Sequence, residues 1–275
     1  MRIALHQMTS GIDPERNVLA MVNAITRSAE AGAAMYFAPE MSIMIDRDRN
    51  RARPHLAAEV HMAALAKLSD CASQYGIWLH LGSIPVVHEN GQKLANRSII
   101  IGADGKIKAR YDKMHLFDVN LDTGESWKES AAYAGGDRPV VVKTPLGLMG
   151  LAICYDMRFP DLFSAYAKSC VDIITLPSAF TVPTGQAHWH SILRARAIES
   201  EAFVIAAAQC GLHEDGRQTY GHSLVVDPWG KIVLDMGASP NLAFVDLDMG
   251  TIAEVRKQIP VHANRRIIPT PFIAG

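Results

Sequence analysis

Two stretches of the chain share one pattern: "RSIIIGADGKIKAR" at residues 97–110 and "HSLVVDPWGKIVLD" at residues 222–235. In each, a short apolar run leads into a turn with an aspartate and a glycine, and a second short run follows. The Asp-Gly pair of the first stretch is a strong β-hairpin signal. Ser223 stands where Ser98 stands, and Gly, Lys and Ile follow in the same order both times. The repetition predicts two similar halves, each closed by a hairpin.

The segments before each hairpin repeat as well. In the first half, "RIALHQM" and "MYFAPE" are predicted strands around a helix at residues 14–32, with Val18, Met21 and Ile25 on one face. In the second half, "GLAIC", "VDIITLPSAF" and "FVIAAAQCG" are predicted strands, and "QAHWHSILRARAIESEA" is a predicted helix. This alternation predicts an α/β fold in which two sheets pack together with helices outside. No linker interrupts residues 1–275, so we expect a single domain.

The composition excludes several classes of protein. The 275 residues have a formal net charge of −1, with 49% hydrophobic and 20% charged residues, as in a globular protein with a sizeable core. This charge gives no reason to expect a nucleic-acid or membrane-surface partner, and no apolar run is long enough for a membrane span. The four cysteines lie far apart without a C-x-x-C pair, which indicates free thiols and a cytoplasmic protein.

Three reactive residues follow predicted strands. In parallel sheets, functional side chains lie at the C-terminal ends of the strands. Glu40 follows "MYFAP", Lys113 follows "KIKARYD" and Cys154 ends "LMGLAI". Taken singly, each has an ordinary explanation: an exposed loop carboxylate, a solvated lysine and a buried, inert thiol. Together they are a hypothesis for a catalytic site, because a carboxylate, an ammonium and a thiol would meet at one rim. The buried, inert state is the prediction for the other cysteines, Cys71, Cys170 and Cys210.

Metal and cofactor sites have little support in the sequence. His188 and His190 are two residues apart, on different faces of a predicted helix, and no H-E-x-x-H motif is present. No G-x-G-x-x-G motif follows a strand and no P-loop is present, so we expect no nucleotide, cofactor or metal. A cysteine–histidine hydrolase with His115 or His222 as base stays open at this point.

The motifs that hold the reactive residues resemble those of a known family. "FAPEM", "YDKMHLFD" and "GLAICYDMRFP", in this order, resemble the three catalytic signatures of the nitrilase superfamily, the carbon–nitrogen hydrolases. The resemblance covers nearly the whole chain. "LPSAFTVPTGQAHWHSILRARAIESEAFVIAAAQCG" and "YGHSLVVDPWGK" are similar to the branch of deaminated glutathione amidases, with ω-amidases as near relatives. The resemblance implies a four-layer α-β-β-α sandwich, which agrees with the two predicted halves.

The resemblance also implies a reaction and a role for each reactive residue. Cys154 would be the nucleophile, Glu40 the general base and Lys113 the stabiliser of the oxyanion. The family's second glutamate corresponds to Glu129 in "KESAAY", with Glu125 as the alternative. The expected reaction is hydrolysis of a small linear carboxamide, deaminated glutathione or the ω-amide of a 2-oxo acid, to acid and ammonia through a cysteine thioester. N-carbamoyl amine hydrolysis, nitrile hydrolysis and a catalytically silent scaffold are the alternatives.

The substrate-binding residues are predicted from segments beside the nucleophile. Two lie within four residues after Cys154, and the loop "PSAFTVPTGQAHW" is expected to line the pocket. The predicted substrate contacts are Tyr155, Arg158, Ser178, Ala179, Phe180 and Thr181. For Arg158, a structural ion pair is the preferred alternative. Arg196 and Glu199 could pair at i,i+3 on their helix.

The tail after "FVDLDM" holds one short helical piece, "TIAEVRKQI", and then "IPVHANRRIIPTPFIAG", which contains three prolines. It cannot form a core of its own, so the chain from about residue 250 is expected to be a loose terminus or an arm on a partner. The resemblance favours the arm, because members of the family are usually dimers or higher oligomers with C-terminal arms that reach the partner. We therefore expect a homodimer or a larger homo-oligomer.

Overall fold

The fold is built from two β-sheets and the helices that cover them. The computed structural model describes residues 1–59, 62–89, 91–120 and 126–273. The strands are β1 Arg2–Gln7, β2 Met35–Phe37, β3 Trp78–His80, β4 Ile84–Val87, β5 Leu94–Ile101, β6 Ile107–Asp112, β7 Asp118–Asn120, β8 Ser126–Lys128, β9 Tyr133–Ala134, β10 Val141–Thr144, β11 Gly147–Leu151, β12 Ile173–Thr175, β13 Phe203–Ala206, β14 Cys210–Leu212, β15 Gln218–Tyr220, β16 Leu224–Val226, β17 Ile232–Asp235 and β18 Asn241–Asp246. The α-helices are α1 Pro14–Glu30, α2 Arg49–Ala52, α3 Ala63–Tyr75, α4 Pro160–Lys168, α5 Val182–Ser200, α6 Gly250–Gln258 and α7 Val261–Asn264. Among the described residues, no helix combines the length and the apolar composition that crossing a bilayer requires.

The first sheet begins with three parallel strands. β1 pairs with β2 and β2 pairs with β3, while β18 pairs antiparallel with the other edge of β1. β5 runs antiparallel to β3 and forms the predicted hairpin with β6. β5 also pairs with β4 and β9. The carboxyl ends of β1, β2 and β3 therefore open on one side of the sheet.

The second sheet repeats this order. β11, β12 and β13 are parallel, β10 lies antiparallel on the edge of β11, and β16 and β17 form the closing hairpin. In the turn between β5 and β6, Gly102 N–H donates to the carbonyl of Lys106 and Gly105 N–H donates to that of Gly102; the turn between β16 and β17 has the same two bonds. Gly105 and Gly230 both have a positive φ, 70° and 86°, which a Cβ disfavours. The two predicted halves are confirmed.

The alternating direction of side chains along the inner strands shows which layers of the fold pack against each other. One buried cluster combines side chains of both sheets, including Ile3 and Leu5 of β1 with Met149 and Leu151 of β11. The intervening Ala4 belongs to a second cluster, with side chains of α1 and α3. Since successive side chains of a strand point to opposite faces, the sheets pack against each other, with α1 and α3 outside the first. α4 and α5 cover the second sheet, so the predicted four-layer sandwich is confirmed.

Some elements differ from the prediction. The predicted strand "FVIAAAQCG" is interrupted, because β13 ends at Ala206 and the next residues form single bridges: Ala208 with Ser178, and Gln209 with Met8. Cys210 then begins β14 rather than ending a strand. The prediction also lacks the hairpins β7–β8 and β14–β15, whose strands have only three residues each and no apolar alternation long enough to detect. Both hairpins border the cavity described below.

Candidate active site

Four predicted site residues converge where β2, β6 and β11 end. Lys113 Nζ lies 3.0 Å from Glu40 Oε1 and 2.9 Å from Glu129 Oε2. Asn96 Nδ2 donates to both carboxylates, at 2.9 Å to Glu40 and 3.2 Å to Glu129. The Cys154 thiol lies beside the Glu40 carboxylate, close enough for each group to shift the pKa of the other. The structure thus brings a thiol, an ammonium and two carboxylates together.

Backbone donors fix the two carboxylates. The second oxygen of Glu40, Oε2, accepts a hydrogen bond of 2.8 Å from the backbone N–H of Ala179. Glu129 Oε2 accepts one of 2.7 Å from the N–H of Phe117. The carbonyl of Glu40 accepts a hydrogen bond of 3.0 Å from the buried amide of Gln209. Both glutamates are therefore held by the second half or by the loop after Lys113, and they do not depend on Lys113 alone.

Cys154 lies at a sharp turn between β11 and a 3₁₀-helix, Cys154–Arg158. Its φ is +46°, a left-handed conformation that is strained for a residue with a Cβ. Its N–H donates to the carbonyl of Pro177 at 3.0 Å, which anchors the turn to the segment that follows β12. Only 7% of the residue is exposed. The thiol is thus presented at the inner end of a cavity from a fixed backbone.

Asp156, two residues after Cys154, connects this turn to the segment that carries Lys113. It is fully buried. Oδ1 accepts from the backbone N–H and the ring Nδ1–H of His115, at 3.0 and 2.7 Å. Oδ2 accepts from the hydroxyl of Tyr111 at 2.6 Å and the N–H of Ile153 at 2.9 Å. The carboxylate of Asp156 therefore binds residues on both sides of Lys113 and the residue before Cys154.

Mutual electrostatics keep the inner groups in fixed charge states. Burial alone would raise the pKa of Glu40, but the charge of Lys113 and the hydrogen bonds from Lys113 and Asn96 bring that pKa below its ordinary value. Burial would lower the pKa of Lys113, but Glu129 and Glu40 raise it well above the usual range. Burial and then the charge of Glu40 raise the pKa of the Cys154 thiol. The site therefore holds a neutral thiol beside an ionised carboxylate and an ammonium.

A cavity of about 1020 Å³ opens from these groups. Of the predicted substrate contacts, Tyr155, Ala179, Phe180 and Thr181 line it. Ser178 does not, because it is fully buried and its hydroxyl donates to the carbonyl of Leu176. Arg158 is also absent from the lining. The prediction of these two as substrate contacts is therefore corrected.

The guanidinium of Arg158 contacts two neighbouring rings. Its Nη2 lies 3.1 Å from Nδ1 of His188, and its Cζ lies 5.6 Å from the ring centroid of Phe180. Within the described ranges it has no acidic partner, so the alternative of a structural ion pair is also absent. The predicted pair of Arg196 and Glu199 is present at 2.6 Å.

One group of side chains in the described part of the chain could hold a metal ion. His190, His222 and Asp235 place their ligand atoms within 4.8 Å of one another. Both imidazoles are already hydrogen-bonded to the carboxylate, at 2.9 Å each. None of the three lines the cavity. This group therefore plays no part in the chemistry at Cys154, and His222 is not placed as its base.

The sequence interpretation missed two residues of the site and misplaced one cysteine. Asn96 and Asp156 are both fully buried polar residues, and the side chains that they bind lie far away in the sequence, so no local pattern identifies them. Cys170 is exposed, not buried as predicted, while Cys71 and Cys210 are buried. Glu125, the alternative second glutamate, lies outside the described residues.

Comparison with known proteins identifies the family to which the chain belongs. Residues 2–257 match the Carbon-nitrogen hydrolase family. Deaminated glutathione amidase from Bos taurus is 40% identical over 271 residues, which cover 96% of this chain and 81% of the relative. The structure of the Caenorhabditis elegans NitFhit protein has a TM-score of 0.87 and 38% identity, and the match covers 96% of this chain and 65% of that one. A variant of the amidase from Nesterenkonia sp. AN1, shown after Michael addition of acrylamide at its active-site cysteine, has a TM-score of 0.78, 28% identity and coverage of 96% and 99%. The chain therefore belongs to the carbon–nitrogen hydrolase family.

Proposed function

We propose that the protein is an amidase that hydrolyses a small linear amide, deaminated glutathione or the ω-amide of a 2-oxo acid, through a thioester on Cys154. The observation that carries the proposal is the meeting of Cys154, Glu40 and Lys113 at the inner end of the cavity. The relatives named deaminated glutathione amidase support the substrate class. An amide needs such a site because its carbonyl resists attack by water.

In the first step, Glu40 accepts the thiol proton as Cys154 Sγ attacks the carbonyl carbon. The carbonyl oxygen becomes negative and requires donors. Two N–H groups of the Lys113 ammonium are bonded to Glu40 and Glu129, and the third can donate to the oxyanion. The backbone N–H of Tyr155, in the first turn of the 3₁₀-helix, supplies a second donor. A fixed donor of this kind lowers the barrier by about 3 kcal/mol.

In the second step, the tetrahedral intermediate collapses and the carbon–nitrogen bond breaks. The nitrogen leaves as ammonia, or as an amine from a substituted amide, and takes the proton that Glu40 holds. A thioester remains on Cys154. Glu40, ionised again, accepts a proton from water, whose oxygen attacks the thioester; the acid is released and the thiolate regains the proton from Glu40. Glu129 holds Lys113 in place throughout.

The proposal predicts that Cys154→Ala abolishes turnover. The measurement is release of ammonia or amine, together with the acid product, from a panel of ω-amides, deaminated glutathione, carbamoyl amines and nitriles. We expect the parent to prefer the amides and the variant to lose at least about 10⁴-fold, because the nucleophile itself is removed. Cys71→Ala, which removes a buried thiol outside the cavity, is the matched control and should keep the parent rate. Equal rates for the parent and Cys154→Ala would refute the mechanism.

A catalytically silent scaffold has a different signature. Peptide mass spectrometry after brief iodoacetamide treatment measures the labelling of each cysteine separately. In an amidase, Cys154 should react faster than the exposed Cys170, because Glu40 accepts its proton. Labelling that follows exposure alone, with Cys170 first, would favour the scaffold.

We also propose a reducing, cytosolic setting and a homo-oligomeric state. The mechanism needs a free thiol, and the four cysteines are unpaired. The oligomer is argued below from the exposed apolar residues of the tail.

A further inference from the structure

The outer part of the cavity has a charge that the proposed reaction does not explain. Beyond the inner groups, the lining contains six basic side chains: Arg47, Arg49, Arg53, Lys93, Lys128 and Arg217. We call this outer part the basic mouth. Of the described lining residues, Asp46 is the acidic one in this part, and it is paired with Arg51 at 2.7 Å. Because the whole chain has a net charge of −1, the excess of positive charge is a local feature of the mouth.

Arg217 is the most firmly held of these cations. Its side chain is 19% exposed, and its Nη2 lies 3.3 Å from Asp215 Oδ2. Its Cζ lies 5.0 Å from the ring centroid of Trp127, and the Cζ of Arg47 lies 5.7 Å from the same centroid. Arg47 also reaches Asp215, at 3.8 Å. Two guanidiniums thus share one aromatic ring and the carboxylate of Asp215, while the nearby carboxylate of Asp46 is bonded to Arg51.

The stacked pair of Arg217 and Trp127 lies close to the reacting groups. Trp127 belongs to β8, and Glu129 follows two residues later, about 7 Å away along an extended chain. Tyr133, also in the lining, is within electrostatic range of both ends: burial raises the pKa of its hydroxyl, the charge of Glu129 adds to that effect, and the charge of Arg217 opposes it. Glu129 and Arg217 therefore both lie close enough to Tyr133 to act on its hydroxyl.

The two ends of the cavity also differ in sign. At the inner end, Glu40 and Glu129 outnumber Lys113, so a substrate carboxylate placed there would be repelled. At the mouth, a planar guanidinium stacked on an indole presents donors that match a carboxylate. A molecule with an amide at one end and a carboxylate at the other would therefore enter with the amide inward.

We propose that Arg217, stacked on Trp127 and assisted by Arg47, binds a substrate carboxylate that lies several bonds from the scissile amide. The inference rests on the proposed amidase function and assigns the side chains that bind the carboxylate of its substrates. The carboxylate contact is the same before and during the reaction, so it should act on KM and leave kcat nearly unchanged.

The first test compares succinamate with butyramide, an uncharged amide of the same chain length, in Arg217→Met. For succinamate we expect KM to rise about 10- to 100-fold, the usual worth of a charge-assisted hydrogen bond to a carboxylate. For butyramide the change should stay below about 3-fold, and Arg217→Lys should fall between parent and Arg217→Met for succinamate. Equal losses for both amides, or none for either, would overturn the inference.

Arg256→Met is the matched control. Arg256 resembles Arg217 in its acidic partner, Asp172 at 3.4 Å, and in its side-chain exposure of 24%, but it lies outside this cavity. It should leave both substrates unaffected. Asp215 keeps Arg47 as a partner after Arg217 is replaced, so we expect Arg217→Met to fold, and an unfolding midpoint measured for all three variants checks this.

A second test needs no turnover. Succinate and glutarate should protect Cys154 of the parent from iodoacetamide, because their carboxylates occupy the mouth, and protection should weaken about 10-fold or more in Arg217→Met. If the parent hydrolyses no amide but shows this protection, the proposed function fails and the anion site stands. If the parent hydrolyses butyramide as well as succinamate and neither dicarboxylate protects it, the anion site fails and the amidase stands.

Discussion

At the scale of single residues, the site works because each buried charge is offset by another. Lys113 stays protonated between two carboxylates, and Glu40 stays ionised because Lys113 and Asn96 bind it. The raised pKa of Cys154 means that the free thiolate is scarce, so in the proposed mechanism the proton moves to Glu40 while the carbon–sulfur bond forms. The arrangement favours a base-assisted attack over attack by a preformed thiolate.

The pH profile should report this difference. Activity requires ionised Glu40, whose pKa is lowered, so kcat/KM should fall only as the pH drops below the ordinary carboxyl range and should show no rise near the ordinary thiol pKa. Glu40→Gln should lower kcat/KM by about 10²- to 10⁴-fold, and its residual activity should increase with pH, because the thiol must then ionise without a base.

The profile of each protein from about pH 3 to 10 is the measurement. Glu59→Gln serves as control, since Glu59 is also a carboxylate paired with arginines, Arg97 and Arg110, but lies outside the cavity. An alkaline rise already present in the parent would contradict the assignment of Glu40 as base.

At the scale of elements, short segments outside the regular strands place the reactive groups. The turn after β11 carries Cys154, the segment after β6 carries Lys113, and Asp156 accepts four hydrogen bonds from residues of the two. His115 also stacks on Phe159, with ring centroids 3.7 Å apart. The distance between nucleophile and ammonium therefore depends on one buried carboxylate that itself lies outside the reaction.

Asp156→Asn should separate this positioning role from simple packing. The amide has nearly the shape of the carboxylate, but its NH₂ group cannot accept, so two donors lose their acceptor. Buried unsatisfied donors cost about 1–3 kcal/mol each, so the free energy of unfolding should fall by about 2–6 kcal/mol in a denaturant titration. In the fraction that stays folded, kcat should fall more than KM rises.

Tyr111→Phe is the graded control for that experiment. It removes one of the four donors and leaves the carboxylate in place, so the free energy of unfolding should change by about 1 kcal/mol with kcat close to that of the parent. If Asp156→Asn is no less stable than Tyr111→Phe and turns over at the parent rate, the carboxylate is not what positions Lys113.

The sequence predicts those site residues whose immediate neighbours in the chain form a recognisable pattern. Glu40, Lys113 and Cys154 each follow a recognisable strand, so their shared rim follows from topology. Arg217 and Trp127 meet only because the hairpins β14–β15 and β7–β8 fold over the cavity, and these three-residue strands leave no periodic pattern. Ser178 is predicted to line the cavity because it belongs to the predicted substrate loop. Its backbone instead forms a β-bridge with Ala208, and the residue is buried in the core.

At the scale of the whole molecule, the cavity belongs to both halves at once. Glu40 and Lys113 come from the first half, and Cys154 and the N–H of Ala179 from the second. Gln209 adds a further link, since its amide donates to Ser10 and to the carbonyl of Glu40. Neither half alone therefore contains both the proposed base and the proposed nucleophile.

The tail leads to the last prediction, about assembly. Arg265 donates to the carbonyl of Ser164 at 2.9 Å, and beyond it four large apolar side chains are 84–97% exposed: Ile267, Ile268, Phe272 and Ile273. Ile198 of α5 and Trp229 are exposed as well, at 49% and 54%. Burying one such side chain contributes about 1.5–3 kcal/mol, so leaving all of them in water is unfavourable. We propose that the tail is an arm that covers a second copy of this chain.

A chain ended after Arg266 should therefore dissociate more readily than the parent. In sedimentation equilibrium across a dilution series, we expect the dimer Kd to rise by at least about 10-fold, since the loss of even one buried apolar side chain has that effect. A full-length variant with Ile267, Ile268, Phe272 and Ile273 changed to serine should do the same, which separates apolar contact from chain length. A shortened chain that associates as tightly as the parent, or a parent that is monomeric at every concentration, would show that the arm binds no second copy.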